Sequence, residues 1–326
     1  MKNKNPDIHL KKEIYFIEDL FNEKNLGAKP FLKWAGGKSQ LLKSFKILYP
    51  KALKEKKIKN YYEPFLGSGA VYFDVIQQYS IENAYLYDVN EELIITYKVI
   101  QKEVHELINE LYQYEKKYME LNHLERENYY LTERKKYNSE RFNINFEKYN
   151  HQWIRRAAQL IFLNKTCFNG LYRVNSKGEF NSPVGKYENP KICNERNLIA
   201  VHHVLQHAII QNADYKKLLN DLKTESFIYF DPPYRPISKT ANFKSYSKHQ
   251  FNDNEQIELA DLFKKINQQE VYLMLSNSDP KNLNPLDNFF DELYKDFNIT
   301  RIAAKRMINA NAKKRGAINE IIVTNY

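Results

Sequence analysis

The residues best suited to chemistry follow a buried apolar run. Residues 227–230 are four consecutive apolar or aromatic residues, which predict a buried strand of a parallel sheet. Asp231 comes next, and Pro232 and Pro233 end the strand because proline cannot donate to a strand ladder. A carboxylate, a backbone carbonyl and the ring of Tyr234 at this strand end suit a flat base with an exocyclic amine. The alternative is a strand that simply ends in a proline turn.

A glycine turn between a strand and an apolar helix marks a second site for chemistry. Residues 61–63 read as a short strand, after which Gly67 and Gly69 let a ligand approach the backbone. Residues 84–88 form a second strand that ends at Asp88, about 20 residues after Gly67. In dinucleotide-binding folds an acid at this spacing binds ribose hydroxyls. The alternative is that Asp88 caps the helix that follows.

Another glycine turn, FLKWAGGK at residues 31–38, lies earlier in the chain. Gly36 and Gly37 permit a tight turn that opens a helix. A nucleotide triphosphatase loop needs a glycine five residues before the Gly-Lys pair, where this chain has Leu32. That class of enzyme is therefore excluded, and the motif is either part of a binding site or a simple turn before a helix.

A basic ribbon is predicted at residues 165–187. An Asn-Gly turn and an Asn-Ser-Lys-Gly tip indicate a hairpin between two short strands. With Arg173, Lys177 and Lys186, such a ribbon has the size and charge to enter a DNA groove; an ordinary surface hairpin is the alternative. Before it, residues 103–118 and 153–163 predict amphipathic helices. The charged stretch at residues 125–149 predicts a solvated surface.

The composition narrows the class of protein. The 326 residues include 50 basic and 40 acidic side chains, and the net charge of +10 suits a polyanionic partner. Two cysteines, Cys167 and Cys193, make neither a disulfide framework nor a metal cluster. No apolar run has the length of a membrane span. We therefore expect a cytoplasmic protein that binds neither a metal nor a membrane.

Taken in order, FLKWAGGK, EPFLGSGAVYF with Asp88, and FDPPY resemble the Dam-like, alpha-group DNA adenine-N6 methyltransferases from about residue 30 onward. The resemblance implies an α/β fold with a Rossmann-like, S-adenosylmethionine-dependent methyltransferase sheet. A mostly helical target-recognition domain that carries a β-hairpin is inserted into this sheet. The implied catalytic domain is 30–92 plus 195–326, and the recognition domain is 93–194. Residues 1–29 are an N-terminal extension.

The resemblance also implies site residues. S-adenosylmethionine is expected to bind Trp34, Ala35, Gly36, Lys38, Glu63, Phe65, Gly67, Ser68, Asp88 and Asp214. The expected catalytic residues are Asp231, Pro232, Pro233 and Tyr234. The ribbon is similar to the recognition hairpin of members that methylate GATC, and the implied DNA contacts are Lys33, Phe168, Asn169, Leu171, Arg173, Pro183 and Tyr187.

Among these contacts, the resemblance gives each group a different role. Three residues correspond to base readers: Leu171, Arg173 and Pro183. Lys33 would touch the first guanine of the site. Asn169 would bind a phosphate, and Phe168 would be an aromatic wedge at the flipped base.

The implied activity is methyl transfer from S-adenosylmethionine to an adenine flipped out of duplex DNA, within GATC. The expected partners are double-stranded DNA and, as a genetic rather than physical partner, a cognate restriction endonuclease; an enzyme without one remains open. The residues alone also leave open methyl transfer to cytosine N4, RNA or a protein glutamine, and a DNA-binding module without catalysis. The ribbon and the basic surplus favour duplex DNA. Intact Asp231, Tyr234, Gly67 and Asp88 favour catalysis.

Overall fold

The computed structural model describes residues 27–235, 251–305 and 317–326. Most of the predicted extension, residues 1–29, therefore lies outside the described residues. The strands of the described ranges are β1 (Asn60–Glu63), β2 (Asn83–Asp88), β3 (Ala208–Asn212), β4 (Ser226–Phe230), β5 (Tyr272–Ser278), β6 (Asn298–Lys305) and β7 (Ala317–Thr324). Their α-helices are α1 (Leu42–Leu48), α2 (Lys51–Lys54), α3 (Ala70–Gln78), α4 (Glu91–Lys102), α5 (Val104–Glu120), α6 (His123–Glu140), α7 (Gln152–Thr166), α8 (Glu195–Leu205), α9 (Leu218–Asp221), α10 (Asp253–Asn267) and α11 (Phe289–Leu293).

The strands form one mixed sheet in the order β3-β2-β1-β4-β5-β7-β6. Strands β1 to β5 run parallel, and β7 runs antiparallel to both β5 and β6. The chain order reverses between β1 and β4, which is the kind of point where open α/β sheets bind ligands. The predicted α/β class with a Rossmann-like sheet is confirmed, and the strand before Asp231 lies at this reversal.

Both faces of the sheet are buried under apolar side chains. Successive residues of a central strand point to opposite faces. In β4, Phe227 and Tyr229 belong to the apolar core on one face. Ile228 and Phe230 belong to the core on the other face. Burial on both faces explains why this strand is an unbroken apolar run in the sequence.

Five helices, α4 to α8, separate β2 from β3 in the chain, and the basic ribbon lies between α7 and α8. The two predicted amphipathic helices are confirmed as α5 and α7. The expectation of a solvated surface over residues 125–149 is wrong along one side of α6. There, Tyr130, Glu133 and Tyr137 form a buried stripe, because α6 packs against α7.

The boundary predicted at residue 92 falls inside α4, where a buried ion pair joins two helices. Arg156 of α7 donates hydrogen bonds of 2.8 and 2.5 Å to the Glu92 carboxylate and a third to the Tyr137 carbonyl. Both charged side chains are at most 4% exposed. A continuous apolar core also runs from the sheet into α5 and α7. The inserted helices and the sheet are therefore packed around a shared core.

Candidate active site

The turn after β4 is fixed at the carboxyl edge of the sheet. Gln256, a buried residue of α10, donates a hydrogen bond of 3.0 Å to the Pro233 carbonyl. Arg235, at the end of the turn, pairs with Asp253 at 2.7 Å. These contacts hold a turn that its two prolines already stiffen. Asp231 is thus presented from a rigid backbone.

The Asp231 carboxylate is oriented by two donors from other elements. The Lys38 ammonium lies 2.7 Å from Oδ1, and the Ser276 hydroxyl of β5 donates to the same oxygen at 3.1 Å. Ser276 also shares a hydrogen bond of 2.7 Å with the buried Tyr229 hydroxyl. Burial raises the pKa of Asp231, and the Lys38 ammonium opposes that rise. A carboxylate can accept about four hydrogen bonds, so this one has capacity for a substrate amine.

The ring of Tyr234 lies beside the same carboxylate and is held by a cation over its face and by a hydrogen bond at its hydroxyl. The Lys38 ammonium is 4.6 Å from the ring centroid, a cation–π distance. The Tyr234 hydroxyl donates to the Glu320 carboxylate of β7. Burial raises the pKa of Glu320, while Lys38 opposes the rise. Sequence reasoning missed Glu320, because a single acid in the last strand carries no motif.

The two glycine turns pack directly against each other. The Gly37 amide donates to the Trp34 carbonyl at 3.2 Å and closes the first turn. A Cβ added at Gly67 would lie 3.1 Å from Cδ1 of Trp34. A Cβ added at Gly37 would lie 3.3 Å from Oγ of Ser68. A side chain at either position would require Trp34 or Ser68 to shift, and Gly67 also has a positive φ of 47°, so glycine suits this contact.

Two acids lie beside these turns, Glu63 buried and Asp88 half-buried. Asp88 accepts the Gly67 amide at Oδ2 and the Asn90 amide at Oδ1, both at 2.9 Å. It therefore joins the turn after β1 to the end of β2, while the helix cap itself is Asn90. Glu63 accepts the Tyr61 hydroxyl at 2.6 Å. Burial raises the pKa of both Asp88 and Glu63.

Three acids thus end three adjacent strands: Glu63 ends β1, Asp88 ends β2, and Asp231 follows β4. Neighbouring strands lie about 4.8 Å apart, so the carboxylates line one edge of the sheet beside the glycine turns. This arrangement fits a small ligand that carries positive charge and ribose hydroxyls. The chemistry of the residues present therefore suits S-adenosylmethionine.

The remaining predicted cofactor residues differ in how near they lie to this edge. Ala35 and Gly36 belong to the first glycine turn. The Phe65 ring stacks on Tyr215 with centroids 5.3 Å apart. Asp214 is exposed beyond the end of β3, one strand farther out, and accepts a local backbone amide. The structure brings the residues of the glycine turns, β1, β2 and β4 together, and it places Asp214 at the periphery.

The predicted hairpin is present, but its arms meet in isolated bridges instead of continuous strands. These bridges pair Cys167 with Val184 and Val174 with Phe180. Asn175 closes the tip, since its amide donates to the Glu179 carbonyl at 2.9 Å. The ribbon therefore depends on its surroundings for its shape.

One face of α6 supplies that support. Tyr130 and Arg134 donate to the Ser182 carbonyl at 2.8 and 2.9 Å. Asn138 donates to the Phe180 carbonyl at 3.0 Å and accepts the Phe180 amide at 2.8 Å. The three helix residues are four positions apart and so share one face. Sequence reasoning missed this role, although the spacing was visible.

The predicted DNA contacts lie along the outer side of the ribbon and on the neighbouring turn. The exposed ones are Lys33, Phe168, Asn169 and Pro183, and the half-buried ones are Leu171, Arg173 and Tyr187. Arg173 donates to the Asn181 side chain at 2.7 Å and to its carbonyl at 3.0 Å. A guanidinium has five N–H donors, so these two bonds orient Arg173 and leave donors for a base edge.

A buried asparagine joins the ribbon to the first glycine turn. Asn164 accepts the Lys33 amide and donates to the Lys33 carbonyl, both at 2.9 Å. Its side chain also donates to the Gly170 carbonyl at 3.0 Å. The Lys33 ammonium lies 5.1 Å from the Tyr187 ring centroid. Asn164 was not predicted; its signal is an amide within an apolar stretch of α7.

The described ranges contain neither a metal-binding cluster nor a membrane-spanning helix. No group of three or more histidine, cysteine or acidic side chains there is placed to hold a metal ion. In the same ranges, no helix has the length and apolar character needed to cross a membrane.

Comparisons with known proteins agree with this geometry. The family model for D12 class N6 adenine-specific DNA methyltransferases matches residues 34–308. The chain is 45% identical over 299 residues to the type II methyltransferase M.MjaIII of Methanocaldococcus jannaschii, covering 91% of this chain and 99% of that protein. It is 38% identical over 313 residues to the type II methyltransferase M1.LlaDCHI of Lactococcus lactis subsp. cremoris, covering 94% and 99%. It is 31% identical over 295 residues to the DNA adenine methylase of Haemophilus influenzae, covering 90% and 92%.

The family match decides between the enzyme classes that the residues left open. Transfer to cytosine N4, RNA or protein glutamine, and a DNA-binding role without catalysis, do not agree with a family defined by adenine N6 in DNA. The match covers both glycine turns, the ribbon and the turn after β4. The chain therefore belongs to the D12 class of N6 adenine-specific DNA methyltransferases.

Proposed function

We propose that this DNA adenine-N6 methyltransferase acts on the adenine of GATC in duplex DNA and flips that base out of the helix. Flipping is required because the amine of a paired adenine is stacked within the duplex. The observation that carries the proposal is the placement of Asp231 and Tyr234 on a fixed turn at the chain reversal of the sheet. In this proposal the flipped base lies between this turn and the glycine turns.

Each group of the turn has a role in this proposal. The Tyr234 ring stacks on the flipped adenine. The Asp231 carboxylate and the Pro232 carbonyl accept hydrogen bonds from the adenine amino group. These bonds favour a pyramidal nitrogen, whose lone pair is then directed at the methyl donor. Since Lys38 occupies one oxygen of Asp231, we expect the amine to use the remaining acceptor positions or to displace the lysine.

The family implies S-adenosylmethionine as methyl donor, and when bound it supplies a methyl group that is already activated by positive charge. We propose that the glycine turns and the acidic edge hold it. The residues are Trp34, Ala35, Gly36, Lys38, Glu63, Phe65, Gly67, Ser68 and Asp88, with Asp214 as a peripheral contact. Their role is to bind the cofactor and fix its orientation toward Asp231.

Asp88 provides the test of the cofactor site. We expect Asp88→Ala to weaken S-adenosylmethionine binding by roughly 10- to 100-fold, because a hydrogen bond to a charged group contributes about 1.5–3 kcal/mol. Isothermal titration calorimetry without DNA measures this directly. Asp88→Asn keeps the shape of the side chain, and thermal melting checks that each variant is folded. Equal affinity in wild type and both variants would contradict the assignment.

The inserted segment, residues 93–194, is proposed as the target-recognition domain, between catalytic parts at 30–92 and 195–326. The supports are the basic ribbon, the α6 contacts that hold it, and the exposed side chains along its outer face. In this proposal Arg173, Leu171 and Pro183 read bases. Lys33 contacts the first guanine. Phe168 lies at the flipped base, Asn169 binds a phosphate, and Tyr187 is a further DNA contact.

Arg173 provides the test of the recognition site. An arginine in the major groove can donate two bonds to guanine, and losing them should cost about 1–3 kcal/mol at one base pair. We therefore expect Arg173→Ala to lose discrimination at a single position of GATC. Methylation of oligonucleotides in which each base of GATC is changed in turn measures this. Lys177 is exposed at the tip of the ribbon, and we propose that it binds a phosphate. Lys177→Ala is therefore the matched control, since losing a phosphate contact weakens all sequences alike.

Two results of that experiment would be decisive against the proposal. If Arg173→Ala keeps the wild-type preference at every position, the ribbon does not read the sequence. If the wild type ignores GATC and methylates adenine elsewhere, the target assignment is wrong although the enzyme class stands. A cognate restriction endonuclease as genetic partner is also part of the proposal, supported by two relatives named type II methyltransferases.

A further inference from the structure

The ribbon has an inner side that faces the glycine turns. Along its first arm, Leu171 and Arg173 are half-buried, whereas Tyr172 between them is only 6% exposed. This alternation is that of an extended chain, in which successive side chains point to opposite sides. Tyr172 therefore points away from the side that is proposed to read DNA.

The ring of Tyr172 lies on the ring of Trp34. Their centroids are 5.0 Å apart and the ring planes differ by 19°, which is a stacked arrangement. Trp34 belongs to the first glycine turn, and its Cδ1 edge lies against Gly67 of the second. Trp34 is thus packed between the ribbon on one side and the second glycine turn on the other.

The hydroxyl end of Tyr172 reaches the end of β2. The Asn90 side chain lies beside it, and the Asn90 amide is bound by the Asp88 carboxylate. Burial raises the pKa of the Tyr172 hydroxyl, so the group stays neutral. The edge of the ring also packs against Phe180 on the other arm of the ribbon, with centroids 5.6 Å apart.

We propose that Tyr172 is a positioning residue for the cofactor: the recognition ribbon, through this stack, holds Trp34 in the orientation that S-adenosylmethionine binding requires. This inference rests on the proposed cofactor site. Without the Tyr172 ring, the half-exposed Trp34 side chain loses one of its two packing partners and can adopt other rotamers. The cofactor then has to select one of several orientations, which lowers its apparent affinity. The ribbon would thus serve the cofactor as well as the DNA.

The test compares cofactor affinity in variants of the full-length protein, without DNA. Tyr172→Leu removes the stack and keeps apolar volume, and we expect it to weaken S-adenosylmethionine binding roughly two- to tenfold. Tyr172→Phe keeps the stack and should remain within about twofold of wild type. Calorimetry gives the dissociation constants. Steady-state kinetics should show the same change in KM for S-adenosylmethionine at nearly constant kcat.

Tyr114 offers a matched control for general destabilisation. It stacks on Phe162 with centroids 4.9 Å apart and planes at 24°, nearly the same geometry, but it lies in α5, within the inserted helices. Tyr114→Leu should therefore leave cofactor affinity unchanged while losing a similar stack. Equal weakening by Tyr114→Leu and Tyr172→Leu would overturn the inference, since the effect would then be one of overall stability.

The other outcomes are also decisive. If Tyr172→Leu binds the cofactor as tightly as wild type, the ribbon does not position Trp34. If Tyr172→Phe is as weak as Tyr172→Leu, the hydroxyl rather than the stack is responsible, and the inference is wrong. If the wild type itself does not bind S-adenosylmethionine, the proposed cofactor site fails, which is a different result.

Discussion

Replacing Asp231 with alanine is expected to lower the rate of methyl transfer by roughly 10³-fold, because electrostatic groups at a reacting centre contribute effects of this size. The carboxylate is held by Lys38 at 2.7 Å and Ser276 at 3.1 Å, so its orientation toward the adenine amine is fixed before the substrate arrives. Duplex affinity should stay within about threefold of wild type, since it comes mainly from phosphate contacts elsewhere.

Transfer of tritiated methyl groups to a GATC duplex measures the first effect, and fluorescence anisotropy of a labelled duplex measures the second. Asp231→Ala removes the carboxylate partner of Lys38, which is 3% exposed, and leaves its ammonium with the Gly36 carbonyl and the Tyr234 ring; a buried charge without a counter-ion is destabilising. Asp231→Asn is therefore a necessary companion, because it keeps the shape and an acceptor for Lys38. Near wild-type transfer by a folded Asp231→Ala protein would show that Asp231 is not catalytic.

The features that were predictable from the sequence are those with a local physical cause. A short apolar run followed by two prolines favours a strand that stops, and β4 ends at Phe230 accordingly. Glycines with positive φ are needed at Gly67 and Gly69, where the chain turns from β1 into α3. Asp88 was predicted at the end of β2 because it lies about 20 residues after Gly67, the spacing found in dinucleotide-binding folds. These local rules were sufficient for the sheet edge and for Asp88 and Asp231, whereas Glu63 was implied only by the family resemblance.

The features that were not predictable depend on contacts between distant parts of the chain. Tyr234 meets Glu320 across 86 residues, and Lys33 meets Asn164 across 131. No local pattern marks such partners, because they are set by the order of strands in the sheet and by the packing of α7.

Helix α6 shows a second reason why part of the structure was not predicted. Its sequence contains a helix-capping pattern and also a high density of charge. Asn122 and Glu125 form a capping box at its start, and that pattern was present in the sequence. The predicted solvated surface depended on the density of charge alone and did not use this pattern. Its buried stripe is built from tyrosine and glutamate, residue types that also occur on surfaces. Only the packing partner distinguishes the two cases.

Removing one partner of the buried ion pair between Glu92 and Arg156 should be strongly destabilising. Without Arg156 the buried Glu92 carboxylate keeps the longer contact of 3.7 Å to the partly exposed Arg141, and a buried charge that is poorly compensated costs about 3–5 kcal/mol. Arg156 makes three hydrogen bonds, two to Glu92 and one to the Tyr137 carbonyl, and its guanidinium lies 3.4 Å from the Tyr137 ring centroid. We expect Arg156→Met to lower the free energy of unfolding by this amount.

Urea denaturation followed by circular dichroism measures the change, and a double variant separates charge from packing. Glu92→Met with Arg156→Met removes both charges, so it should be more stable than Arg156→Met alone. The exposed pair of Lys216 and Glu258, 2.6 Å apart with side chains more than half exposed, is the matched control. Lys216→Met should cost less than about 1 kcal/mol. If Arg156→Met costs no more than Lys216→Met, the pair does not anchor the inserted helices to α4.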